Sequence, residues 1–534
     1  MSALSAAGLL GASTSAQATT KTHKRGPGGH PGVNNVIVLI GDGMGFDPIE
    51  TTSTVYDDLT MTKAVEEELA VQGVVETGFT RTSSRSGEVT DSAAAGSALA
   101  TGFKAFNGQV SVRGPDGADG DDLTPVMSQA ELAKAVGKGA GLVTTTRITH
   151  ATPAVYASHV ADRGQEADIA DQYLDNEIDV LFGGGRREWT DDQLARAEEL
   201  GYDILHDSED LGGADDGKLL GLFDDSHVTY RLDRPDSIPS LPEMTSAAVD
   251  RLEGDEGYFL MVEGGRIDHA EHGNDTQATV DETKEFDETV EWALEYAADR
   301  DDTLVVVTSD HETGGMVTGT DYGAPIDRER IRNASASCGA IADRIEGGES
   351  AQTAIEQTLD VTISDEEAER IENERGSDGW ALSNAVAAVT SDHLGVGWGS
   401  QRHTGPAQIA IAAGLGDGRF TGWFDNTDLS ATITALMLFG GSLEMPEGEA
   451  LERWEWKVEH NGANGPYDAY IACVGYVGPV ETDVQRALDT NGDGLVDYGD
   501  ILAIADGRGR PEPAARRHYS RDQSSQRQDS IHQF

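Results

Sequence analysis

The sequence predicts an α/β chain of the doubly wound type, a mostly parallel central sheet flanked by helices, with a small C-terminal appendage. Three observations predict it. Five short apolar runs carry almost no polar interruption, as expected of strands buried on both faces. Helical stretches at 124–137, 192–200, 243–253 and 280–298 lie between them. The runs lead into glycines, acids or histidines, and in such sheets the chemistry collects at the carboxyl ends of the strands.

In chain order, residues 1–31 read as a leader and linker. Positions 3–18 are small and mildly apolar and end Ala16-Gln17-Ala18, which resembles the core and cleavage site of a secretory signal without its basic start. Residues 32–440 hold the predicted sheet. The run 36–40 leads into Gly41-Asp42-Gly43-Met44-Gly45, and Asp91-Ser92 opens a stretch of very small residues. The run 141–145 leads on to Thr149-His150, and 179–182 ends in three glycines. The run 258–262 ends at Glu263, and 304–308 ends in Ser309-Asp310-His311. Residues 316–400 read as an insertion on the site side, with helical stretches near 338–358 and 364–374. His403 and the apolar run 409–413 follow. Residues 441–506 form the appendage, and 507–534 is a polar, basic tail with no core, expected to be disordered.

Composition narrows the function. The chain has 534 residues, 95 acidic against 39 basic, for a formal net charge of −56. A basic footprint for nucleic acid is missing. No apolar run reaches membrane-spanning length. An acidic shell this strong suits a protein kept soluble at high salt, where screening removes self-repulsion. Cys338 and Cys473 could pair, but spacing does not decide it.

The small-residue run after Asp91 points to an anion site. A helix start offers unpaired amides and the positive end of the helix dipole. Ser92 there could attack a phosphoryl group if metal ions lowered its pKa. Asp and Ser are also favoured caps, so this segment alone reads first as an ordinary helix start, and the rest of the chain decides against that. The second pattern is Glu263-Gly-Gly-Arg-Ile-Asp268-His269-Ala-Glu-His272. Asp268 and His272, four apart, share one helix face, a pairing that suits zinc. Asp310-His311 follows a buried strand, where unpaired charge is costly. Arg163 could fork two phosphoryl oxygens or pair with a neighbouring acid.

With these residues in view, the chain resembles the alkaline phosphatase family over about residues 32–440, through six ordered motifs: Ile40–Gly45, Asp91–Ala94, Ala151–Ala154, Val262–Gly264, Asp310-His311 and His403–Gly405. The resemblance implies an α/β/α sandwich and a phosphate-monoester hydrolase with a phosphoserine intermediate at Ser92. It implies one zinc at Asp268, His272 and His403 and a second at Asp42, Asp310 and His311. A third ion, usually magnesium, would sit at Asp42, Thr152 and Glu263, with Arg163 binding phosphate. His150 and His269 stand where the well-known bacterial type has Asp and Lys. His150 could turn the third site toward zinc, cobalt or manganese, and His269 could contact phosphate. The family commonly forms dimers, so a homodimer is expected, and the leader implies a secreted or cell-surface protein. A related phosphodiesterase, or a non-enzymatic calcium-stabilised surface module, is the alternative; a sulfatase lacks its Cys/Ser-x-Pro-x-Arg signature here.

In the appendage, Asp489, Asn491, Asp493, Leu495, Asp497 and Asp500 stand at positions 1, 3, 5, 7, 9 and 12 of a loop with Gly494 at position 6. That is calcium-loop spacing with Leu495 offering its carbonyl. Asp at the last position makes the loop dockerin-like. Dockerins usually carry two such loops and only one is visible, so a cohesin-like partner is not expected.

Overall fold

The computed structural model describes residues 33–57, 59–65, 75–118, 122–214, 217–319, 325–377, 379–440, 451–453, 455 and 466–505. The expected leader and tail lie outside these residues. The central sheet has ten strands: β1 (Asn35–Gly41), β2 (Val75–Arg81), β3 (Gly139–Arg147), β4 (Val180–Gly184), β5 (Tyr202–Leu205), β6 (Lys218–Leu222), β7 (Tyr258–Gly264), β8 (Thr303–Thr308), β9 (Gln408–Gly414) and β10 (Gly422–Asp425). Their spatial order is β10-β2-β9-β8-β1-β7-β3-β4-β6-β5. Nine run one way; β9 is antiparallel to both β8 and β2. The reversal has a local cause. The chain re-enters the sheet from His403, at the carboxyl end of the strands, and must run back down.

Strands β7 and β8 are buried along their whole length, and β1 at all but its first residue. Their alternate side chains feed two separate cores. Val36, Val38 and Ile40 join one, and Ile37 and Leu39 join the other. This two-sided burial is what the uninterrupted apolar runs encode. Register then aligns the chemistry: Ile40 pairs with Glu263 on one side and Thr308 on the other, and Thr144 also pairs with Glu263. The residues just past those pairs therefore emerge together at one edge of the sheet.

Six helices frame that edge: α1 (Phe46–Tyr56), α2 (Ser92–Thr101), α3 (Ala151–Ala154), α4 (Arg266–His272), α5 (Thr276–Ala298) and α6 (Asn426–Phe439). The expected helix 338–358 is two, Cys338–Glu346 and Ala351–Leu359, with Gly348 between them at φ +104°. The stretch 124–137 is helical only over Gln129–Ala135; Thr124–Pro125 pairs instead with Val112–Arg113. The helices Cys338–Glu346, Ala351–Leu359, Asp365–Glu372 and Ala381–Leu394 build a small core of their own. Both cysteines are free and buried.

The appendage shares the main core. Tyr470, Cys473, Tyr498 and Ile501 join the cluster that holds Leu99 and Ala100 of α2. The Tyr498 hydroxyl lies 2.7 Å from the Ser430 hydroxyl of α6. The helices Asp483–Leu488 and Tyr498–Ala505 flank the 489–500 loop. In that loop Asp489 accepts from the Gly492 and Gly494 amides, and Asp493 from the Leu495 amide. Asp500 Oδ1 takes the Thr490 amide and hydroxyl. Burial and the neighbouring Asp500 push Asp497 up to about 7.

Candidate active site

Ser92 is the first residue of α2. Asp91 caps that helix, accepting the Ala94 amide at 3.0 Å through Oδ1. Its other oxygen takes the Gly108 amide at 2.9 Å and Arg163 Nη1 at 3.2 Å. A residue read from sequence only as a cap thus also orients the arginine. All ten residues of α2 are buried. Their small size serves packing: a Cβ on Gly96 would stand 3.0 Å from Val155 Cγ2.

Asp268, His272 and His403 converge. His272 Nε2 lies 3.1 Å from His403 Nε2 and 3.4 Å from Asp268 Oδ1, and His403 Nε2 lies 3.5 Å from the same oxygen. Beside them, His311 Nε2 is 3.3 Å from Asp310 Oδ2, 3.6 Å from Asp42 Oδ1 and 3.3 Å from Ser92 Oγ. The His311 and His403 rings stack at 3.7 Å between centroids, so the two groups adjoin. Asp42, His150 and Glu263 form a third group whose ligand atoms lie within 4.8 Å of one another. Thr152 Oγ1 donates to Asp42 Oδ2 at 3.2 Å.

These separations fit zinc. Ligands at about 2.0–2.1 Å from a tetrahedral ion stand about 3.3–3.4 Å apart along each edge. The orientation of the imidazoles fits too. His272 Nδ1 donates to the Gln401 carbonyl and His403 Nδ1 to the Thr90 carbonyl. Thr313 Oγ1 donates to Asp268 Oδ1 at 2.6 Å, which leaves it to accept from His311 Nδ1 at 3.3 Å. Each ring is thereby fixed with its Nε2 lone pair turned inward, the arrangement of metal-bound histidines. Two such lone pairs 3.1 Å apart repel unless a cation lies between them.

The carboxylates carry the same message. Burial, then Asp310, Asp268 and Glu263, push Asp42 well above its ordinary range. Burial, then Asp268, do the same to Asp310. Burial raises Glu263, whose Oε2 accepts from Thr144 and Thr146. Burial also acts on Asp268, but the facing His272, His403 and His311 outweigh it and hold that carboxyl low. Asp42 Oδ1, Asp310 Oδ2 and Glu263 Oε1 are buried with no hydrogen-bond partner among the described residues, a costly state that a divalent ion relieves.

At the third group stand an arginine and three histidines. Arg163 Nη2 faces His150 Nε2 at 3.0 Å, so this arginine both pairs with an acid and reaches the site. His150 and His269 lie 5.5 Å apart between ring centroids. Sequence reading missed His227, which packs 4.3 Å from His269 and 5.3 Å from His150. It sits on no periodic face, and only the tertiary fold brings it in. Glu271 was also missed. It is fully buried, both carboxylate oxygens lack hydrogen-bond partners among the described residues, and burial and then Glu312, Asp268 and Asp310 raise its pKa.

A family model described as alkaline phosphatase matches residues 33–438. Alkaline phosphatase 4 of Bacillus subtilis is 34% identical over 422 residues, covering 76% of this chain and 89% of its own length. Alkaline phosphatase 3 of the same organism is 34% identical over 415 residues, 75% of this chain and 88% of its length. The crystal structure of a cold-active alkaline phosphatase from a psychrophilic Shewanella superposes with a TM-score of 0.68 at 30% identity, covering 76% of this chain and 99% of the other. The alkaline phosphatase of Thermus thermophilus gives 0.65 at 31%, covering 76% and 92%.

Proposed function

The chain belongs to the alkaline phosphatase family, which makes it a metal-dependent phosphoesterase, and on that premise we propose that it hydrolyses phosphate monoesters through a phosphoserine at Ser92. Asp268, His272 and His403 would hold one zinc ion, and Asp42, Asp310 and His311 a second. Asp42, Thr152 and Glu263 would hold a third divalent ion, magnesium or, with His150 beside it, a softer metal. When bound, the zinc pair supplies Lewis-acid charge that lowers the serine pKa and offsets charge on the entering and leaving oxygens.

The chain's own residues do the rest. The Arg163 fork, aimed by Asp91, holds two non-bridging oxygens of the phosphoryl group. Ser92 Oγ attacks phosphorus, the P–O bond to the alcohol breaks, and the alcohol leaves with a proton. Water then attacks the phosphoserine, releasing inorganic phosphate and restoring the Ser92 hydroxyl. His269 contacts the phosphate from the open side. The observation that carries this reading is the inward aim of three Nε2 lone pairs beside one serine hydroxyl. The test is metal analysis alongside monoesterase assays before and after chelation. Two zinc ions per chain, with activity lost and restored with them, is the expected result; full activity in metal-free protein overturns it.

The remaining expectations complete the proposal. The acidic surface calls for salt, the 489–500 loop for calcium, and the chain works as a secreted homodimer. None of the described helices is long and apolar enough to cross a membrane.

A further inference from the structure

In a chain with 95 acidic residues, most arginines beside the site are neutralised. Arg163 pairs with Asp91, and Arg147 with Glu166 and Glu188. Arg266 is different. Among the described residues its guanidinium meets no carboxylate at ion-pair distance. Its Nη1 lies 2.9 Å from His269 Nδ1, and its Nε is buried without a partner. The guanidinium lies 3.9 Å over the Tyr230 ring, which fixes its plane. The main-chain N–H of Arg266 donates to Thr145 Oγ1, so the start of α4 is anchored to β3.

The position of this cation matters more than its lack of a partner. Arg163 touches His150, His150 faces His269 across 5.5 Å, and Arg266 touches His269. Two guanidiniums therefore stand at opposite ends of one histidine pair. The Arg163 end adjoins Ser92 through Asp91. Arg266 itself takes no part in the monoester cleavage described above. His227, whose two ring nitrogens face the Arg147 amide and Nη1, presses its ring against His269 and backs this wall.

We propose that Arg266, with His269, forms a second anion subsite that receives a further phosphoryl group of the substrate, so that the enzyme favours terminal phosphates carried on another phosphate. The inference rests on the monoesterase reading above. A diphosphate would place its scissile group on Ser92 and Arg163 and its inner phosphate against Arg266. The bond broken is then the terminal P–O bond of the bridge, and the inner phosphate departs as the leaving group. A planar guanidinium with unused N–H groups suits a phosphoryl oxygen pair.

The test compares zinc-loaded wild type with Arg266→Met and Arg266→Lys. The first substitution keeps the apolar stem over Tyr230; the second keeps the charge without the fork. Methyl diphosphate and methyl phosphate are the paired substrates, and methylenediphosphonate against orthophosphate is the paired equilibrium-binding probe, with zinc content checked throughout. Arg266→Met should lower kcat/KM for methyl diphosphate about tenfold or more beyond its effect on methyl phosphate, mostly through KM, and should weaken methylenediphosphonate binding by a similar factor relative to orthophosphate. Arg266→Lys should fall between, and it decides the matter if the methionine variant does not fold. Equal losses for both substrates together with an unchanged binding ratio overturn the subsite. If wild type cleaves neither ester, the monoesterase reading fails, and the binding ratio alone then upholds or overturns the subsite.

Discussion

Gly43→Ala tests how tightly the loop after β1 fixes the metal ligands. Gly43 has φ +74°, and a Cβ there would stand 2.6 Å from Glu271 Oε2, 2.8 Å from Asp268 Cα and 2.9 Å from Asp268 Cβ. The left-handed backbone costs about 1–2 kcal/mol for alanine, and overpacking a rigid neighbour adds about 1–3 kcal/mol. Asp268 Cα belongs to α4 and yields only if the helix moves. Opening 2.8 Å to ordinary contact near 3.4 Å needs a shift of 0.6 Å. Metal–ligand distances tolerate about 0.2 Å. The variant should therefore lose about 2–5 kcal/mol and bind zinc much more weakly at the Asp268 group. Gly137→Ala is the control, because φ there is +87° and a Cβ meets nothing within 4 Å; its loss should be the backbone cost alone. Denaturant melts of both variants, with zinc stoichiometry, give the answer. Should Gly43→Ala be no less stable than Gly137→Ala, keep two zinc ions and retain activity within about twofold, the reasoning is refuted.

Three further outcomes follow from the geometry. Ser92→Ala should lower kcat by at least about a thousandfold while zinc content holds, and acid quenching should trap no phosphoprotein; retained turnover rules out the serine. Because Asp42, Asp310, Glu263 and Glu271 have raised folded pKa values, their contribution to the stability of metal-free protein should be fullest below the ordinary carboxylate range and be lost as pH rises through those raised values. Glu271→Gln should flatten that slope in metal-free melts, and an unchanged slope counts against the buried-charge account. Calcium added to zinc-loaded protein should stabilise it through the 489–500 loop, by about 2.7 kcal/mol when free calcium is 100 times Kd, read as a higher melting temperature. Asp493→Ala combined with Asp497→Ala should abolish the effect.

Much of this was legible in the sequence because the inner strands are buried on both faces and leave little choice of pattern. Residues at their carboxyl ends, Asp42, Glu263, Asp310 and His311, could be picked from the chain alone. The two strands at either end of the sheet were not legible. β2 is only partly buried, β5 and β10 have four residues each, and β6 has five. The antiparallel direction of β9 follows from where His403 re-enters, which is a tertiary fact. The orienting partners were also hidden. The Gln401 and Thr90 carbonyls carry no side-chain signal, and His227 and Arg266 gain meaning only from the rings they touch. Glu271 was not singled out from the chain, and only the packing of α4 buries it against Gly43.

Anomalous diffraction at the zinc edge from crystals of zinc-loaded protein is the most direct test of the central claim. Two peaks are predicted beside the Ser92 hydroxyl, one bonded by Asp268, His272 and His403 and the other by Asp42, Asp310 and His311, with any third confined to the site of Asp42, Thr152 and Glu263. A single peak, or peaks remote from Ser92, would contradict it.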